Sequence, residues 1–193
     1  PGHGPTRRPG TNILTNGGLG TGTSQDMSTV LNFTTGSSSN PIDMIDISLD
    51  AFSDLLRLAD GNDAQIGVAT FSNMVGLGGT ITVADANVIL VTSNVGFANA
   101  ADLAADLLAN PITFASAQTE QFNHYIVAYQ DFDGDVRIAD MNIHANGTTS
   151  FTTTAGGATL AISDMAELEG VSLASLQAGN INFVGNDEIA NSS

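Results

Sequence analysis

The chain has 193 residues, of which 42% are hydrophobic, and this is enough apolar material to bury a core. Acidic residues outnumber basic residues by 20 to 4, and a net charge of −16 excludes a nucleic acid as a natural partner. The chain has no cysteine, which excludes disulfides, thiolate catalysis and cysteine-ligated zinc, and no apolar run is long enough to predict a transmembrane segment.

The first ten residues contain three of the five prolines, three glycines and no large apolar side chain. This composition predicts an extended, solvated N-terminal arm over residues 1–10. Two of the four basic residues, Arg7 and Arg8, lie in this arm. The alternative is an arm that docks on a neighbouring subunit.

From residue 11 onward, short β-favouring runs alternate with turns rich in Gly, Ser, Thr and Asn. This pattern predicts a mainly β fold, either a β-sandwich or a β-roll-like domain, with one or two short helices. No linker interrupts residues 11–185, so we expect a single domain there, followed by an acidic tail over residues 186–193. The predicted strands span residues 29–33, 42–47, 67–71, 80–83, 88–92, 123–130, 136–143, 159–162 and 181–184.

Two segments have helical rather than strand periodicity. The first predicted helix begins after Asn99, a favourable N-cap, ends at Asn110 and Pro111, and carries on one face Leu103, Leu107 and Leu108. The second, over residues 48–58, has apolar residues at helical spacing, namely Leu49, Phe52, Leu55 and Leu56.

Six aspartates crowd into residues 43–63, where Arg57 is the one basic residue. Carboxylates without basic partners need water, backbone N–H donors or a hard cation, and calcium prefers oxygen ligands. Asp60 and Asp63 lie in the turn after the second predicted helix, and we predict them as calcium ligands. The alternative is a helix end followed by an Asx-turn.

Residues 121–143 hold the strongest local pattern, in which two alternating strands flank an acidic turn that contains a glycine. This pattern predicts a β-hairpin. Apolar residues occur on both faces, so we expect a central hairpin that is covered on each side. One face of its first strand is expected to carry Tyr125, Val127 and Tyr129, and the other His124, Ile126 and Ala128.

Three carboxylates at the hairpin turn, those of Asp131, Asp133 and Asp135, form the leading candidate calcium site. Their mutual repulsion requires a counter-ion or full solvation. The turn is not an EF-hand, because Gly134 stands at the fourth position and Asn142 at the twelfth. A solvated turn without metal is the alternative.

The residues that usually carry catalysis do not form a recognisable pattern. His3, His124 and His144 have no metal-binding spacing, and no serine lies in a nucleophile elbow. A carboxylate pair for glycoside hydrolysis is neither supported nor excluded by the sequence. We therefore expect structural roles for His124 and His144 and a protein that is not an enzyme.

Five segments carry a resemblance to a known family. They are HYIVAYQDFDGDVRIAD at 124–140, LEGVSLASL at 168–176, NINFV at 180–184, VLNFTTG at 30–36 and IDIS at 45–48. Together they resemble the C-terminal domains of RTX-type bacterial proteins, which are acidic calcium-binding proteins exported by type I secretion. Asn32 stands where that family more usually has an aspartate, and no intact nonapeptide repeat is present.

The resemblance implies a calcium-stabilised β fold, export through an uncleaved C-terminal signal, and an extracellular or cell-surface location in bacteria. We expect a non-enzymatic surface protein that assembles with copies of itself into a layer, filament or matrix and that contacts cell-surface polysaccharide. The alternative is the C-terminal secretion and calcium-binding module of an exported hydrolase or adhesin. An adhesin would be favoured if Tyr125 and Tyr129 were exposed.

Overall fold

The structure is a computed structural model that describes residues 11–14, 27–37, 40–41, 43–49, 64–82, 85–114, 122–144 and 159–185. The predicted arm (1–10), the predicted tail (186–193) and positions 50–58 of the second predicted helix lie outside the described residues. The single-domain prediction stays a prediction. The mainly β fold is confirmed, with one α-helix in the part of the chain that the structure describes.

The described elements follow one another in a fixed order. The strands are β1 (Thr11–Leu14), β2 (Ser28–Val30), β3 (Gly36–Ser37), β4 (Asn40–Pro41), β5 (Met44–Ser48), β6 (Gly67–Val68), β7 (Val75–Gly76), β8 (Thr80–Ile81), β9 (Val88–Thr92), β10 (Thr113–Phe114), β11 (Phe122–Gln130), β12 (Val136–His144), β13 (Thr159–Leu168) and β14 (Ile181–Val184). The helix α1 (Ala100–Ala109) lies between β9 and β10, and a 3-10 turn (Ala178–Asn180) precedes β14.

Two larger sheets dominate the fold. The six-stranded sheet has the order β2-β13-β12-β11-β9-β7, and the four-stranded sheet has the order β1-β5-β14-β6. The predicted hairpin β11–β12 is antiparallel and lies in the middle of the larger sheet. The hairpin is therefore central, as its two apolar faces predicted.

The first hydrophobic core lies between the two sheets. Ile126 and Ala128 of β11 belong to it together with Ile45 of β5 and Phe183 of β14, and all four are fully buried. Residues from both sheets share this core, so the sheets pack face to face, as in a sandwich.

The second core covers the opposite face of the six-stranded sheet. It contains Tyr125, Val127 and Tyr129 of β11 and, from α1, Leu103 and Leu107. The predicted division of these β11 side chains between two faces is confirmed. Strands β9 and β11 are parallel neighbours, and α1 lies in the crossover between them.

Helix α1 confirms the first predicted helix. The Asn99 side-chain oxygen accepts the N–H groups of Ala101 at 2.9 Å and Asp102 at 3.1 Å, and this caps the first turn. The second predicted helix is wrong at its first residue, because Ser48 ends β5, where it pairs with Val184. At Ser48, pairing with a buried strand therefore determines the backbone conformation rather than helical periodicity.

Candidate functional site

The β11–β12 hairpin ends in a tight acidic turn over residues 131–135. The Gly134 N–H donates to the Asp131 carbonyl oxygen at 3.2 Å, and the Asp131 N–H donates to the Asp135 carbonyl oxygen at 2.9 Å. Gly134 has a φ of +94°, which side chains with a Cβ rarely adopt. The turn therefore brings three predicted calcium ligands, Asp131, Asp133 and Asp135, onto one short segment.

Asp131 uses both of its carboxylate oxygens inside the protein. Oδ1 accepts the N–H groups of Asp133 and Asp135, each at 3.0 Å. Oδ2 accepts the Nε–H of Arg137 at 3.1 Å. The Asp131 side chain is only 4% exposed. Asp131 therefore holds the turn together through hydrogen bonds to the backbone of the turn and to Arg137.

The other predicted ligands have different surroundings. Asp133 is exposed, and Asp135 Oδ1 accepts the Gly170 N–H at 2.8 Å. Asp60 and Asp63 lie outside the described residues. Within the ranges that the structure describes, no group of three or more His, Cys, Asp or Glu side chains is placed to hold a metal ion. Calcium binding by these five aspartates stays a prediction.

A mostly buried polar cluster lies behind the turn. We call it the Arg137 cluster, and its members are Tyr129, Asp131, Arg137, Asp164 and Glu167. Arg137 Nη1 lies 3.4 Å from Asp164 Oδ2, and Nη2 lies 3.7 Å from Glu167 Oε2. The Tyr129 hydroxyl donates to Asp164 Oδ1 at 2.5 Å. Three carboxylates thus share one guanidinium, which is 16% exposed.

A β-bulge in β13 places two of these carboxylates on the same face. Ile138 pairs with Ala166, but the next residue, Ala139, pairs with Asp164, so Met165 is the extra residue. Without this shift Asp164 would pair with Asp140, whose side chain lies on the face of the first core. The bulge turns Asp164 toward the face that carries Arg137.

The N-terminus of α1 is tied to the same cluster. The Ala100 N–H donates to Asp164 Oδ2 at 3.1 Å, and the Ala98 N–H donates to Asp102 Oδ2 at 2.9 Å. Carboxylates are favourable there because the first N–H groups of a helix carry partial positive charge. Asp164 therefore links the helix, β11 and β12.

Burial changes the protonation behaviour of the cluster. Burial and the hydrogen bond to Asp164 raise the pKa of Tyr129 well above the usual range of a phenol. The pKa of Glu167 is also raised overall. Burial is the largest cause, the charge of Arg137 acts in the opposite direction, and the neighbouring carboxylates add to the rise. Burial lowers the pKa of Arg137, but the bond to Asp131 and the nearby acids outweigh it, so the guanidinium stays charged.

A second polar contact joins the two hairpin strands on the face of the first core. His124 Nδ1 lies 2.8 Å from Asp140 Oδ1 and 3.0 Å from Oδ2. His124 is 5% exposed, so its ring is held inside the sheet by a carboxylate. The side chain of His144 and all of His3 lie outside what the structure describes.

Sequence reasoning missed the partners of Arg137. The calcium prediction for the turn did not include Arg137 as a counter-ion, although Arg137 lies only two residues beyond Asp135. Its position on the second strand, next to a three-aspartate turn, is the signal that could have identified it. Asp164 and Glu167 gave no such signal, because their approach depends on the bulge in β13.

Two further observations bear on the predicted partners. Tyr125 and Tyr129 are both fully buried, so the exposure that would have favoured an adhesin is absent. In the described part of the chain, no helix combines the length and the apolar character needed to cross a membrane.

Comparison of the chain with protein-family models, curated proteins and solved structures found no match.

Proposed function

We propose that the chain is a non-enzymatic structural protein of the bacterial cell exterior, which assembles with copies of itself into a layer, filament or matrix. The observation that carries this proposal is a set of exposed apolar side chains at one end of the six-stranded sheet. Three large residues there are 61%, 74% and 61% exposed, namely Leu31, Val95 and Phe132. Burying such side chains against a second copy is favourable, because it removes apolar surface from water.

The topology brings these residues to the same end of the sheet. Leu31 follows β2, which is parallel to β13, and Phe132 lies in the turn that joins β11 to β12. Val95 follows β9, which is parallel to β11. All three residues therefore lie in loops at the same end of the six-stranded sheet, where a second copy of the chain can contact them.

Calcium has a place in this proposal as the counter-ion of the acidic surface. The described residues include twelve of the twenty acidic side chains but one of the four arginines, so two copies repel each other without added cations. Hard divalent cations neutralise carboxylates at such contacts. Asp60 and Asp63 are the predicted ligands outside the described residues.

A second candidate is the C-terminal secretion and calcium-binding module of an exported hydrolase. It is favoured by the packing of the segments that resemble RTX-type proteins. Ile45–Ser48 pairs with Ile181–Val184, and both contribute to the first core together with the hairpin and residues 168–176. A hydrolase motif elsewhere in the same polypeptide would favour this candidate over the first.

The experiment compares assembly by light scattering and electron microscopy with calcium, with magnesium, and with sodium chloride at matched ionic strength. We expect calcium to produce ordered assemblies, and we expect Phe132→Ser and Val95→Ser to reduce them. Leu108→Ser is the matched control, because Leu108 is 46% exposed at the C-terminal end of α1. A wild-type protein that stays monomeric in every condition would contradict the proposal.

A further inference from the structure

The hairpin turn needs a positive charge that water alone does not supply. Asp131, Asp133 and Asp135 lie within five consecutive residues, and Asp131 is 4% exposed. A buried carboxylate is stable only when hydrogen bonds and a counter-charge offset its lost hydration. Calcium is one possible counter-charge, and a basic side chain is the other.

Arg137 places a positive charge directly beside the Asp131 carboxylate. Its Nε is 3.1 Å from Oδ2, while Oδ1 already accepts two backbone N–H groups. A cation that bound either oxygen would face these N–H donors or the guanidinium itself. The planar guanidinium also lies close to Asp164 and Glu167, so three carboxylates hold it in place, one from the hairpin turn and two from β13.

The remaining oxygens of the turn do not complete a calcium site. Calcium takes six to eight oxygen ligands at about 2.3–2.6 Å. Asp135 Oδ1 accepts the Gly170 N–H, and the Gly134 carbonyl oxygen accepts from Gln130 Nε2 at 2.9 Å. The carbonyl oxygens of Asp131 and Asp135 accept backbone N–H groups within the turn. Among the carboxylate oxygens of the turn, the two of Asp133 and Oδ2 of Asp135 accept no hydrogen bond from the described residues, and three oxygens are fewer than calcium takes.

We propose that Arg137 is the built-in counter-cation of the hairpin turn, so that this turn is ordered without calcium. The buried carboxylate of the three-aspartate pattern, that of Asp131, is then paired with a cation from the second hairpin strand. This inference is independent of the proposed assembly, and it leaves calcium binding at Asp60 and Asp63 unaffected.

The test follows the backbone amides of Asp133, Asp135 and Gly170 by NMR in the full chain. In the wild type, we expect their chemical shifts and exchange protection to be the same in chelator and in about 10 mM calcium, which exceeds the millimolar affinity of extracellular calcium modules. In Arg137→Gln, we expect protection in chelator to fall about tenfold or more, because a buried carboxylate loses its charged partner. Asp133→Asn, which removes an exposed carboxylate from the same turn, should change protection less than about twofold.

Two results would overturn the inference. The first is a saturable, calcium-specific shift of these amides in the wild type that Asp131→Asn abolishes. The second is an Arg137→Gln protein whose turn amides keep full protection in chelator. The wild-type titration decides the calcium question even when Arg137→Gln fails to fold.

Discussion

Burial and an ion pair act in opposite directions on the carboxyl group of Glu167. Burial raises its pKa, the charge of Arg137 lowers it, and Asp131, Asp135 and Glu169 raise it again, so the net shift is upward. The folded protein therefore binds a proton at Glu167 more tightly than the unfolded chain. The free energy of unfolding must fall as pH rises from the unfolded pKa of about 4.3 through the raised folded value.

Glu167→Gln should remove this pH-dependent loss. Below about pH 4 both side chains are neutral, and we expect similar free energies of unfolding. At pH 7 we expect the variant to gain stability relative to the wild type. Urea unfolding at both pH values measures the difference, and Asp85→Asn, which removes an exposed carboxylate that does not shift the Glu167 pKa, controls for the change in net charge. A variant that loses stability at pH 7 would show that the Arg137 contact outweighs burial.

At the scale of elements, the loop between β9 and α1 is pressed against the hairpin turn. Phe97 forms an isolated parallel bridge with Asp131, and its N–H donates to the Gln130 carbonyl oxygen at 3.0 Å. Gly96 has a φ of +78°, and a Cβ there would lie 2.2 Å from the Asp131 carbonyl oxygen. Only glycine permits this approach, so Gly96 fixes how the loop meets the turn.

Gly96→Ala should therefore cost more than an ordinary glycine substitution. Gly78 is the matched control, because its φ is +74° and a Cβ there would meet nothing within 4 Å. We expect Gly78→Ala to lower the free energy of unfolding by about 1 kcal/mol through backbone strain. Gly96→Ala should lower it by about 2 kcal/mol more, because the backbone clash adds to the same strain. Equal losses in urea unfolding would refute the close contact.

The sequence predicted well those elements whose residues carry the determining information themselves, such as a run of β-branched residues or a helix-capping side chain. The predicted bounds of β9 and β14 agree with the structure, and Asn99 caps α1 as its side chain predicts. Strands such as β3, β7 and β10 are only two residues long and form because a neighbouring strand offers hydrogen bonds. β13 runs on to Leu168, past the predicted end at 162, because it stays paired with β12 and, at its end, with β2.

The candidate site was predictable only where its residues are close in sequence. The acidic turn follows from the pattern of Asp131, Asp133 and Asp135, and the hairpin strands follow from their alternation. The approach of Asp164 to Arg137 spans 27 residues and requires the bulge at Met165. A shift of one residue in strand register reverses which face a side chain occupies, so periodicity alone cannot place Asp164.

At the scale of the whole molecule, the composition makes alkaline unfolding a specific probe of the second core. The chain has no cysteine and its four basic residues are all arginines, so its two tyrosines are the side chains that titrate between about pH 9 and 12. Both are fully buried, and burial with the Asp164 hydrogen bond raises the pKa of Tyr129. In this pH range the folded protein therefore retains the Tyr129 proton, whereas the unfolded chain releases it.

Stability should therefore decline above about pH 10, by about 1.4 kcal/mol per pH unit for each tyrosine proton that the folded state retains. Tyr129→Phe should reduce this slope by the contribution of one proton. At pH 7 the same substitution should lower the free energy of unfolding by about 2 kcal/mol, because the hydrogen bond to Asp164 is lost. Tyr125→Phe keeps the Tyr129 contribution and is the matched control. Phenolate absorbance and near-ultraviolet circular dichroism, followed together, measure ionisation and packing. Ionisation of Tyr129 near pH 10 in a protein that keeps its native dichroism would contradict the buried Tyr129–Asp164 contact.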